Sequence, residues 1–249
     1  MVDPNQDVNS RFDQDYFSSE AYSEVSFGPY SQYWWSNRYY ASLIRKFGSK
    51  SGRVLEIGCG LGHLLGWLAD RFELYGTDIN PWALAEASKN VPDANFLLLS
   101  AEDLGVFPDE IFQIVVAKHV FEHLPDPDLS IAEISRVLVP GGMLLLATPN
   151  TSSIARSVKK DKWIGYKDPT HISLWSPEQW ISALNWNQLK SKKIYSDGLW
   201  DAPYIPWLPT SIQKVLFGTP GGLQAIFGLT VIPLRLGESL IVLAEKDGR

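Results

Sequence analysis

The stretch VLEIGCGLGHLL, residues 54–65, places the strongest constraint on the fold of this chain. An apolar segment runs into three glycines, Gly58, Gly60 and Gly62, and a second apolar segment follows them. Glycines allow the backbone to adopt positive φ and to approach a ligand closely. A strand that leads through such a turn into a helix presents the free amides of the helix N-terminus to that ligand. The stretch therefore predicts the first strand, turn and helix of a nucleotide-binding α/β domain.

The sequence beyond this turn alternates between short apolar segments and helical segments. Helices are predicted to start near Pro81, after Asp126 or Asp128, and after Ser176. The glycine pair 141–142 is expected to end the second of these helices. Such alternation predicts βαβ units and a parallel sheet with both faces covered. The expected strands are Arg53–Ile57, Leu74–Asp78, Asn95–Leu99, Phe112–Ala117, Met143–Thr148, Leu189–Tyr195 and Ser239–Ala244.

An aromatic helix is predicted ahead of the first strand. Between residues 30 and 47, large apolar side chains recur every four positions, at Trp35, Tyr39, Leu43 and Phe47. We therefore divide the chain into an N-terminal aromatic helical cap, residues 1–48, and an α/β domain, residues 49–249. Within the domain, a loop at 150–175 and an insertion at 197–236 are expected to lie over the active site.

The charge and cysteine content narrow the classes of function. The 249 residues carry a formal net charge of −6, whereas affinity for the phosphate backbone of nucleic acid needs clustered lysine and arginine. We therefore expect no nucleic-acid partner. Cys59 is the one cysteine, so no disulfide can form within the chain. The polar start MVDPNQDVNSRFDQD lacks the features of a secretory signal, and we expect the protein in the cytoplasm.

The residues around the turn distinguish between two nucleotide ligands. The dinucleotide fingerprint G-x-G-x-x-G has a third glycine, and His63 stands at that position here. Glu56, directly beside the turn, would repel a pyrophosphate. It would suit S-adenosylmethionine, which carries an ammonium and a sulfonium and no phosphate. Asp78, at the end of the second predicted strand, can accept hydrogen bonds from the ribose of either ligand; its alternative role is to cap the helix at Pro81.

These residues and four further segments resemble the Rossmann-like, class I S-adenosylmethionine-dependent methyltransferases. The matching segments are VLEIGCGLG, YGTDIN, LLSAEDL, FQIVVAKHVFEHLPDP and RVLVPGGMLLLATPN, which together span residues 53–150. The resemblance implies S-adenosylmethionine as the cofactor and an α/β fold with a doubly wound, mostly parallel sheet of seven strands, the last one antiparallel. With the N-terminal cap and the insertion before the last strand, this is the fold class that we predict.

The resemblance also assigns residues to the cofactor. The glycine turn would line the methionine portion, Asp78 would hold the ribose, and Ile79 would contact the adenine. Residues 100–102 would border the adenine; relatives often have an aspartate at the first of these positions, where this chain has serine. Lys118 and His119 would face the methionine end and the substrate. The predicted cofactor-binding set is Glu56, Gly58, Cys59, Gly60, Gly62, Asp78, Ile79, Ser100, Ala101, Glu102, Lys118 and His119.

The segment KHVFEH places His119, Glu122 and His123 on one face of a helical turn, since they are three or four residues apart. They can be framework residues that fix the loop after the fourth strand, a histidine can act as a general base, or the trio can bind a divalent ion. The similar metal-assisted O-methyltransferases of ubiquinone synthesis have Glu-x-x-Glu-His, and this chain has His119 at the first glutamate. We predict His119, His123 and His171 as catalytic residues and no bound metal.

Two segments are candidates for binding the methyl acceptor. The loop at 150–175 is rich in lysine and contains His171. It is either a solvated loop or a clamp for an anionic group on the acceptor. The insertion has no charge between Lys214 and Arg235. It is either an apolar flap packed on the sheet or a surface that meets lipid or an isoprenoid or acyl substrate.

We therefore predict an enzyme that methylates a small molecule, with O-methylation of an anionic or amphiphilic metabolite as the favoured reaction. The apolar insertion also leaves room for a peripheral contact with a membrane. Two alternatives are a noncatalytic S-adenosylmethionine-binding partner subunit and an NAD-dependent reductase. The candidate histidine bases favour the enzyme over the subunit, and Glu56 with the missing third glycine disfavours the reductase.

Overall fold

A seven-stranded sheet organises residues 28–248, the part of the chain that the computed structural model describes. Its strand order is β3-β2-β1-β4-β5-β7-β6, and β7 runs antiparallel to both of its neighbours while the pairs from β3 to β5 are parallel. The predicted Rossmann-like fold is confirmed, including its antiparallel last strand. The strands are β1 (Arg53–Ile57), β2 (Glu73–Asp78), β3 (Asn95–Leu98), β4 (Phe112–Lys118), β5 (Leu138–Pro149), β6 (Leu189–Ser196) and β7 (Ser239–Lys246).

Helices cover both faces of this sheet. Alternate side chains of β4 point to opposite faces, as the period of a strand requires: Ile114 packs into the apolar layer that holds Leu43, and Val115 packs into the layer that holds Trp180. The α-helices are α1 (Gln32–Phe47), α2 (His63–Gly66), α3 (Pro81–Asn90), α4 (Pro127–Val137), α5 (Ile154–Lys159), α6 (Ile164–Lys167), α7 (Pro177–Trp186) and α8 (Thr210–Phe227). Short 3-10 turns lie at Phe121–His123, Lys160–Lys162 and Leu234–Leu236.

The predicted helix starts are confirmed by their caps. Asp126 accepts a hydrogen bond from an amide in the first turn of α4, and Ser176 forms a capping box with Gln179 at the start of α7. The glycine pair 141–142 does not end α4, because the helix ends at Val137 and β5 begins with the next residue. The glycine pair instead lies inside β5, where the register with β4 shifts, and an added Cβ at Gly142 would lie 2.8 Å from the carbonyl oxygen of Val139.

The segments outside the core of the sheet are more helical than the sequence suggests. The predicted aromatic helix is α1, whereas residues 1–27 of the predicted cap lie outside the described residues. The loop at 150–175 contains α5 and α6, and the insertion at 197–236 contains the 18-residue helix α8 with Pro220 inside it. None of the helices in the described part of the chain is long and apolar enough to cross a membrane.

Candidate active site

The glycine turn and the predicted ribose ligand meet at the carboxyl edge of the parallel strands. Ile57, the last residue of β1, is in register with Thr77 on one side and with Ala117 on the other, so β1, β2 and β4 end at the same edge. There Asp78 Oδ2 accepts a hydrogen bond of 2.8 Å from the amide of Gly60. The Asp78 carboxylate at the end of β2 is thus fixed directly against the glycine turn that follows β1.

Asp78 does not cap the following helix, so this alternative role is wrong. The N-cap of α3 is Asn80, whose side-chain oxygen accepts from the amides of Trp82 and Ala83. Asp78 Oδ1 accepts from the amide of Asn80 at 2.9 Å and so holds the residue that does cap the helix. Burial raises the pKa of Asp78, and its bonds to backbone amides oppose this rise.

The turn requires glycine for two physical reasons. The φ angles of Gly58, Gly60 and Gly62 are 63°, 49° and 74°, in the left-handed region that side chains with a Cβ rarely adopt. A Cβ at Gly58 would also lie 2.3 Å from Cγ2 of Val120. Val120 follows β4, so the glycine allows the turn to contact the segment that carries the candidate histidines.

Glu56 is buried beside this turn, with 3% of its surface exposed. One contact on its carboxylate comes from the backbone amide of Leu65 in α2, while Oε2 has no hydrogen-bond partner within the described residues. Burial raises the pKa of Glu56, and the nearby charge of Lys118 opposes the rise. A buried carboxylate oxygen without a partner is costly unless a ligand satisfies it. Its charge suits a cationic ligand.

Lys118, at the end of β4, joins the site to the N-terminal helix. Its Nζ donates a hydrogen bond of 2.5 Å to Oδ1 of Asn37 and lies 5.0 Å from the ring centre of Tyr33 and 5.5 Å from that of Tyr40. All three partners belong to α1. Burial lowers the pKa of Lys118, and the charge of Glu56 opposes this change. The helix α1 therefore forms one wall beside the predicted methionine end of the site.

The residues predicted to border the adenine form a turn after β3. The amide of Glu102 donates to Oγ of Ser100 at 3.2 Å, and Glu102 Oε1 accepts from the amide of Asp126 at 2.9 Å. Ala101 is buried in the apolar layer beneath them, and Ile79 is half-buried at the end of β2. The carboxylate of Glu102 thus holds the start of α4 next to this turn.

A histidine and a buried glutamate are paired just after β4. Nδ1 of His119 lies 3.1 Å from Oε1 of Glu122, and Thr148 donates to the second oxygen of that carboxylate at 3.2 Å. Burial alone would raise the pKa of Glu122, but its bond to His119 and the neighbouring histidines outweigh burial and lower this pKa to about 2. The glutamate is therefore ionised near neutral pH and accepts a hydrogen from Nδ1. The backbone of His119 has φ 54°, a strained conformation for a histidine.

His171 lies against His123, with 4.8 Å between the ring centres. Nδ1 of His171 is 2.9 Å from the carbonyl oxygen of Gly165, which can only accept, so this nitrogen carries the hydrogen. The hydroxyl of Thr170 donates to Oδ1 of Asp168 at 2.5 Å and therefore accepts from Nδ1 of His123 at 2.9 Å. When neutral, both histidines thus have Nε2 as the unprotonated nitrogen.

The edge of the sheet therefore combines a glycine turn, a carboxylate fixed against that turn and a histidine–glutamate pair. Residues 34–190 match the family model described as a methyltransferase domain. The chain belongs to this methyltransferase family. The family and its relatives imply S-adenosylmethionine as the cofactor, in agreement with the prediction made from Glu56 and the turn.

Three relatives illustrate how far the likeness extends. "Uncharacterized methyltransferase YcgJ" of Bacillus subtilis is 29% identical over 63% of this chain and 64% of its own length. "Ubiquinone biosynthesis O-methyltransferase" of Neisseria meningitidis is 30% identical over 39% of this chain and 44% of its own length. "Probable S-adenosylmethionine-dependent methyltransferase" of Mycolicibacterium smegmatis is 33% identical over 47% of this chain and 46% of its own length. The chain thus spans less than two thirds of each of these relatives.

The solved structure of YcgJ shares the fold. It has a TM-score of 0.60 and 19% sequence identity, and the match covers 85% of this chain and 99% of that chain. The family model itself covers residues 34–190, which include β1 to β5 and therefore the edge at which the candidate site lies.

The metal alternative considered from the sequence involves a different third residue in the structure. Glu122, His123 and His171 can each bring one ligand atom to within 4.8 Å of the other two. His119 is not part of this group of three, although its imidazole contacts the carboxylate of Glu122. The sequence could not place His171 here, because the amides of Ile172 and Ser173 bind the carbonyl oxygen of Glu122 across a long sequence separation.

The lysine-rich loop at 150–175 contains both paired and exposed cations. Lys159 is half-buried and paired with Asp201 of the insertion, which is also 3.7 Å from Lys167. Lys160 and Lys162 are exposed. The interpretation of the whole loop as a clamp is therefore corrected for Lys159, whose charge is already neutralised within the fold.

Proposed function

We propose that this methyltransferase transfers the methyl group of S-adenosylmethionine to a hydroxyl oxygen of an anionic or amphiphilic small molecule in the cytoplasm. The observation that carries the proposal is the pair formed by His119 and Glu122 at the end of β4. A hydroxyl is a weak nucleophile until its proton is removed, so an oxygen acceptor needs a base at this position.

The cofactor site that we propose is the edge between β1, β2 and β4. The unpartnered carboxylate oxygen of Glu56 fits a ligand with a positive charge. Asp78 accepts hydrogen bonds from the backbone of Gly60, Ile79 and Asn80, and its remaining lone pairs can accept from the ribose hydroxyls. When bound, S-adenosylmethionine supplies an electrophilic methyl group on its sulfonium. The proposed set is Glu56, Gly58, Cys59, Gly60, Gly62, Asp78, Ile79, Ser100, Ala101, Glu102, Lys118 and His119.

The histidine–glutamate pair would supply the base. With Nδ1 donating to Glu122, Nε2 of His119 is the nitrogen that takes the hydroxyl proton while the oxygen–methyl bond forms and the sulfur–methyl bond breaks. The charge of Glu122 stabilises the imidazolium that results. His123 and His171 remain proposed catalytic residues, since both have Nε2 unprotonated when neutral and both lie near Glu122.

The proposed acceptor class rests on the surroundings of the site. Oxygen as the acceptor atom is supported by the likeness to a protein named for ubiquinone biosynthesis O-methylation. The exposed Lys160 and Lys162 would attract an anionic group, and the apolar insertion would suit the rest of an amphiphile. We propose that the cap at 1–48, the loop at 150–175 and the insertion at 197–236 enclose the active site of the domain at 49–249.

Two alternative functions make different predictions. An NAD-dependent reductase is disfavoured by membership of the methyltransferase family and by the buried carboxylate of Glu56 beside the turn. A noncatalytic S-adenosylmethionine-binding subunit would keep the cofactor site without a working base. Binding and turnover experiments separate it from the enzyme.

The first experiment is calorimetric titration of S-adenosylmethionine into wild type, Asp78→Ala and Glu73→Gln. We expect micromolar binding to wild type, about −8 kcal/mol, and a loss of about tenfold or more in Asp78→Ala because a charged hydrogen bond to the ribose disappears. Glu73 is an exposed partner of Arg53 at the other end of β2, so its variant should bind like wild type. No binding by wild type would contradict the proposed site.

The second experiment supplies cofactor with a tritium-labelled methyl group and fractions of small metabolites and lipid extract. Label that appears on an oxygen of a small molecule with wild type, and is lost with His119→Gln, supports the proposed reaction. Tight cofactor binding with no label transferred to any fraction favours the noncatalytic subunit. Label on nitrogen or carbon would contradict the oxygen assignment while leaving the enzyme class intact.

A further inference from the structure

The 18-residue helix α8 buries two polar side chains and exposes most of its large apolar ones, although Phe217 and Ala225 pack inward. Its two buried residues are Gln213 and Gln224. Its exposed face carries an apolar stripe at helical spacing, which we name the α8 stripe: Ile212, Val215, Leu216, Leu223, Ile226 and Phe227. A surface helix of a soluble domain normally has the opposite orientation.

Hydrogen bonds fix this orientation. Gln213 accepts from the amides of Tyr204 and Ile205, and it donates to the carbonyl oxygens of Ile205 and Leu208. Gln224 donates to the carbonyl oxygen of Ser196 at 2.7 Å and accepts from two amides in the segment that follows α8. Gln213 thus makes four hydrogen bonds and Gln224 three, and turning the helix to bury its apolar face would break all of them.

The apolar surface continues beyond the helix. Trp207, just before α8, is 82% exposed, and Val231, just after it, is 69% exposed. A helix of this length extends about 27 Å, so the stripe and its flanks form one long apolar surface. Contiguous apolar surfaces of this kind mark contacts with a partner or a membrane.

The charged side chains of α8 and of the segments directly beside it in sequence are both positive. Between residues 202 and 237 the charged side chains are Lys214 and Arg235, and both are exposed. Two cations of α1 lie beside the C-terminal end of α8: Arg38 contacts the carbonyl oxygen of Ile226, and Lys46 donates to that of Gly228 at 3.0 Å. An apolar stripe with cationic neighbours complements a surface of anionic headgroups over acyl chains.

We propose that the α8 stripe binds the surface of an anionic lipid bilayer, with α8 lying parallel to the membrane plane. Trp207 then takes the interfacial position that tryptophan favours, since its ring is apolar and its indole nitrogen is polar. A second copy of this chain fits less well, because a two-fold contact would bring Lys214 and Arg235 of one copy towards the like charges of the other.

Vesicle flotation of the full chain tests this proposal. The vesicles contain either phosphatidylcholine alone or phosphatidylcholine mixed with phosphatidylglycerol, and the variants are Leu216→Glu with Phe227→Glu, and a matched control, Trp186→Glu. Trp186 is 85% exposed at the end of α7, away from the stripe. We expect binding to the anionic vesicles, a loss of at least about tenfold in the double variant because two acidic groups would face lipid, and no change in the control.

Salt and a second variant pair refine the result. Lys214→Glu with Arg235→Glu should remove most of the preference for anionic vesicles, and added salt should weaken the binding of wild type. Failure of wild type to float with anionic vesicles would overturn the proposal. Equal binding by wild type and the Leu216–Phe227 variant would also overturn it, as would sedimentation showing that the stripe instead joins two copies. Circular dichroism checks that each variant is folded. Because flotation measures only binding to vesicles, its outcome does not depend on whether the protein transfers a methyl group.

Discussion

The imidazole of His119 and the carboxylate of Glu122 are joined by a contact of 3.1 Å between Nδ1 and Oε1, and Thr148 holds the second carboxylate oxygen. The glutamate is fully buried, while 39% of the histidine side chain is exposed. The carboxylate of Glu122 is thus fixed and ionised, whereas the imidazole of His119 is accessible. Because Nδ1 of His119 is bonded to Glu122, Nε2 is the nitrogen that can contact a substrate.

The first prediction concerns turnover by this pair. His119→Gln should lower kcat by about 100-fold or more, because general-base catalysis contributes about 10²–10⁴ in rate. The Kd for S-adenosylmethionine should change far less than kcat, since His119 is only one of the residues proposed to line the cofactor site, whereas the loss of the base acts directly on the acceptor. Steady-state kinetics over a range of pH, with cofactor titration of the same variant, measure both quantities.

Chelation provides the control for this prediction. If Glu122, His123 and His171 held an essential divalent ion, EDTA would abolish turnover and added metal would restore it. If His119 is the base and no metal is needed, EDTA should not abolish turnover and added metal should not raise it. Turnover that depends on metal, with His119→Gln close to wild type, would contradict the assigned base.

The second prediction concerns stability in acid. The pKa of Glu122 is about 2 in the fold and 4.5 in its ordinary state. Because the folded pKa is depressed, the stabilisation is fully present above about pH 4.5 and is lost as the pH falls towards 2. This difference in pKa corresponds to about 3 kcal/mol. Urea unfolding of wild type and Glu122→Gln should therefore show a gap near neutral pH that narrows in this window.

Glu86→Gln serves as the matched control for the acid series. Glu86 forms an exposed ion pair with Lys89 on α3, which contributes little to stability. Its variant should follow the wild-type curve at every pH. A gap between wild type and Glu122→Gln that stays constant from neutral pH down to about pH 3 would refute the assigned pKa direction.

The sequence predicted those features of the site that have local causes. The glycine turn follows from backbone geometry that residues with a Cβ rarely adopt, and Ser176 with Gln179 identifies a helix start because both side chains bind nearby amides. Asp78 could be placed because a strand end is marked by its apolar pattern. In each case, the residues that make the decisive interactions are close together along the chain or lie at the ends of adjacent strands.

The features that the sequence did not predict depend on distant contacts. The stretch around Pro220 suggests a loop, since glycine and proline disfavour helix, yet it is helical because Gln213 and Gln224 bind backbone groups of the flanking segments. The neighbourhood of His171 and Glu122 likewise depends on bonds between residues far apart in sequence. Such bonds have no local sequence signature.

The third prediction concerns the glycine turn. Gly58→Ala places a Cβ 2.3 Å from Cγ2 of Val120 and forces alanine to a φ of 63°. We expect a loss of about 1–3 kcal/mol in the free energy of unfolding and weaker cofactor binding. Gly58→Ala with Val120→Ala should recover only part of the loss, because the strain in φ remains.

Gly218→Ala is the control for this prediction. Gly218 lies in α8 with nothing within 4 Å of its Cβ position, and alanine is the better helix former by about 1 kcal/mol. Its variant should therefore be as stable as wild type or more stable. Thermal unfolding with and without cofactor measures both variants, and equal behaviour of Gly58→Ala and Gly218→Ala would contradict the assigned geometry.

The last prediction concerns the half-buried ion pair of Lys159 and Asp201, which ties α5 to the insertion. Lys159→Met removes the nearer cation from this carboxylate and leaves it the longer contact with Lys167, so the variant should lose about 1–3 kcal/mol in the free energy of unfolding. At about 2–4 °C per kcal/mol for a chain of this size, the Tm should fall by at least about 2 °C. Lys159→Met with Asp201→Leu should recover most of this loss, since neither charge then remains.

Lys167→Met is the control and should change the Tm little, because Lys167 is exposed and 3.7 Å from Asp201. A fall in Tm as large as that of Lys159→Met would show that the exposed Lys167, and not Lys159, is the main partner of the Asp201 carboxylate.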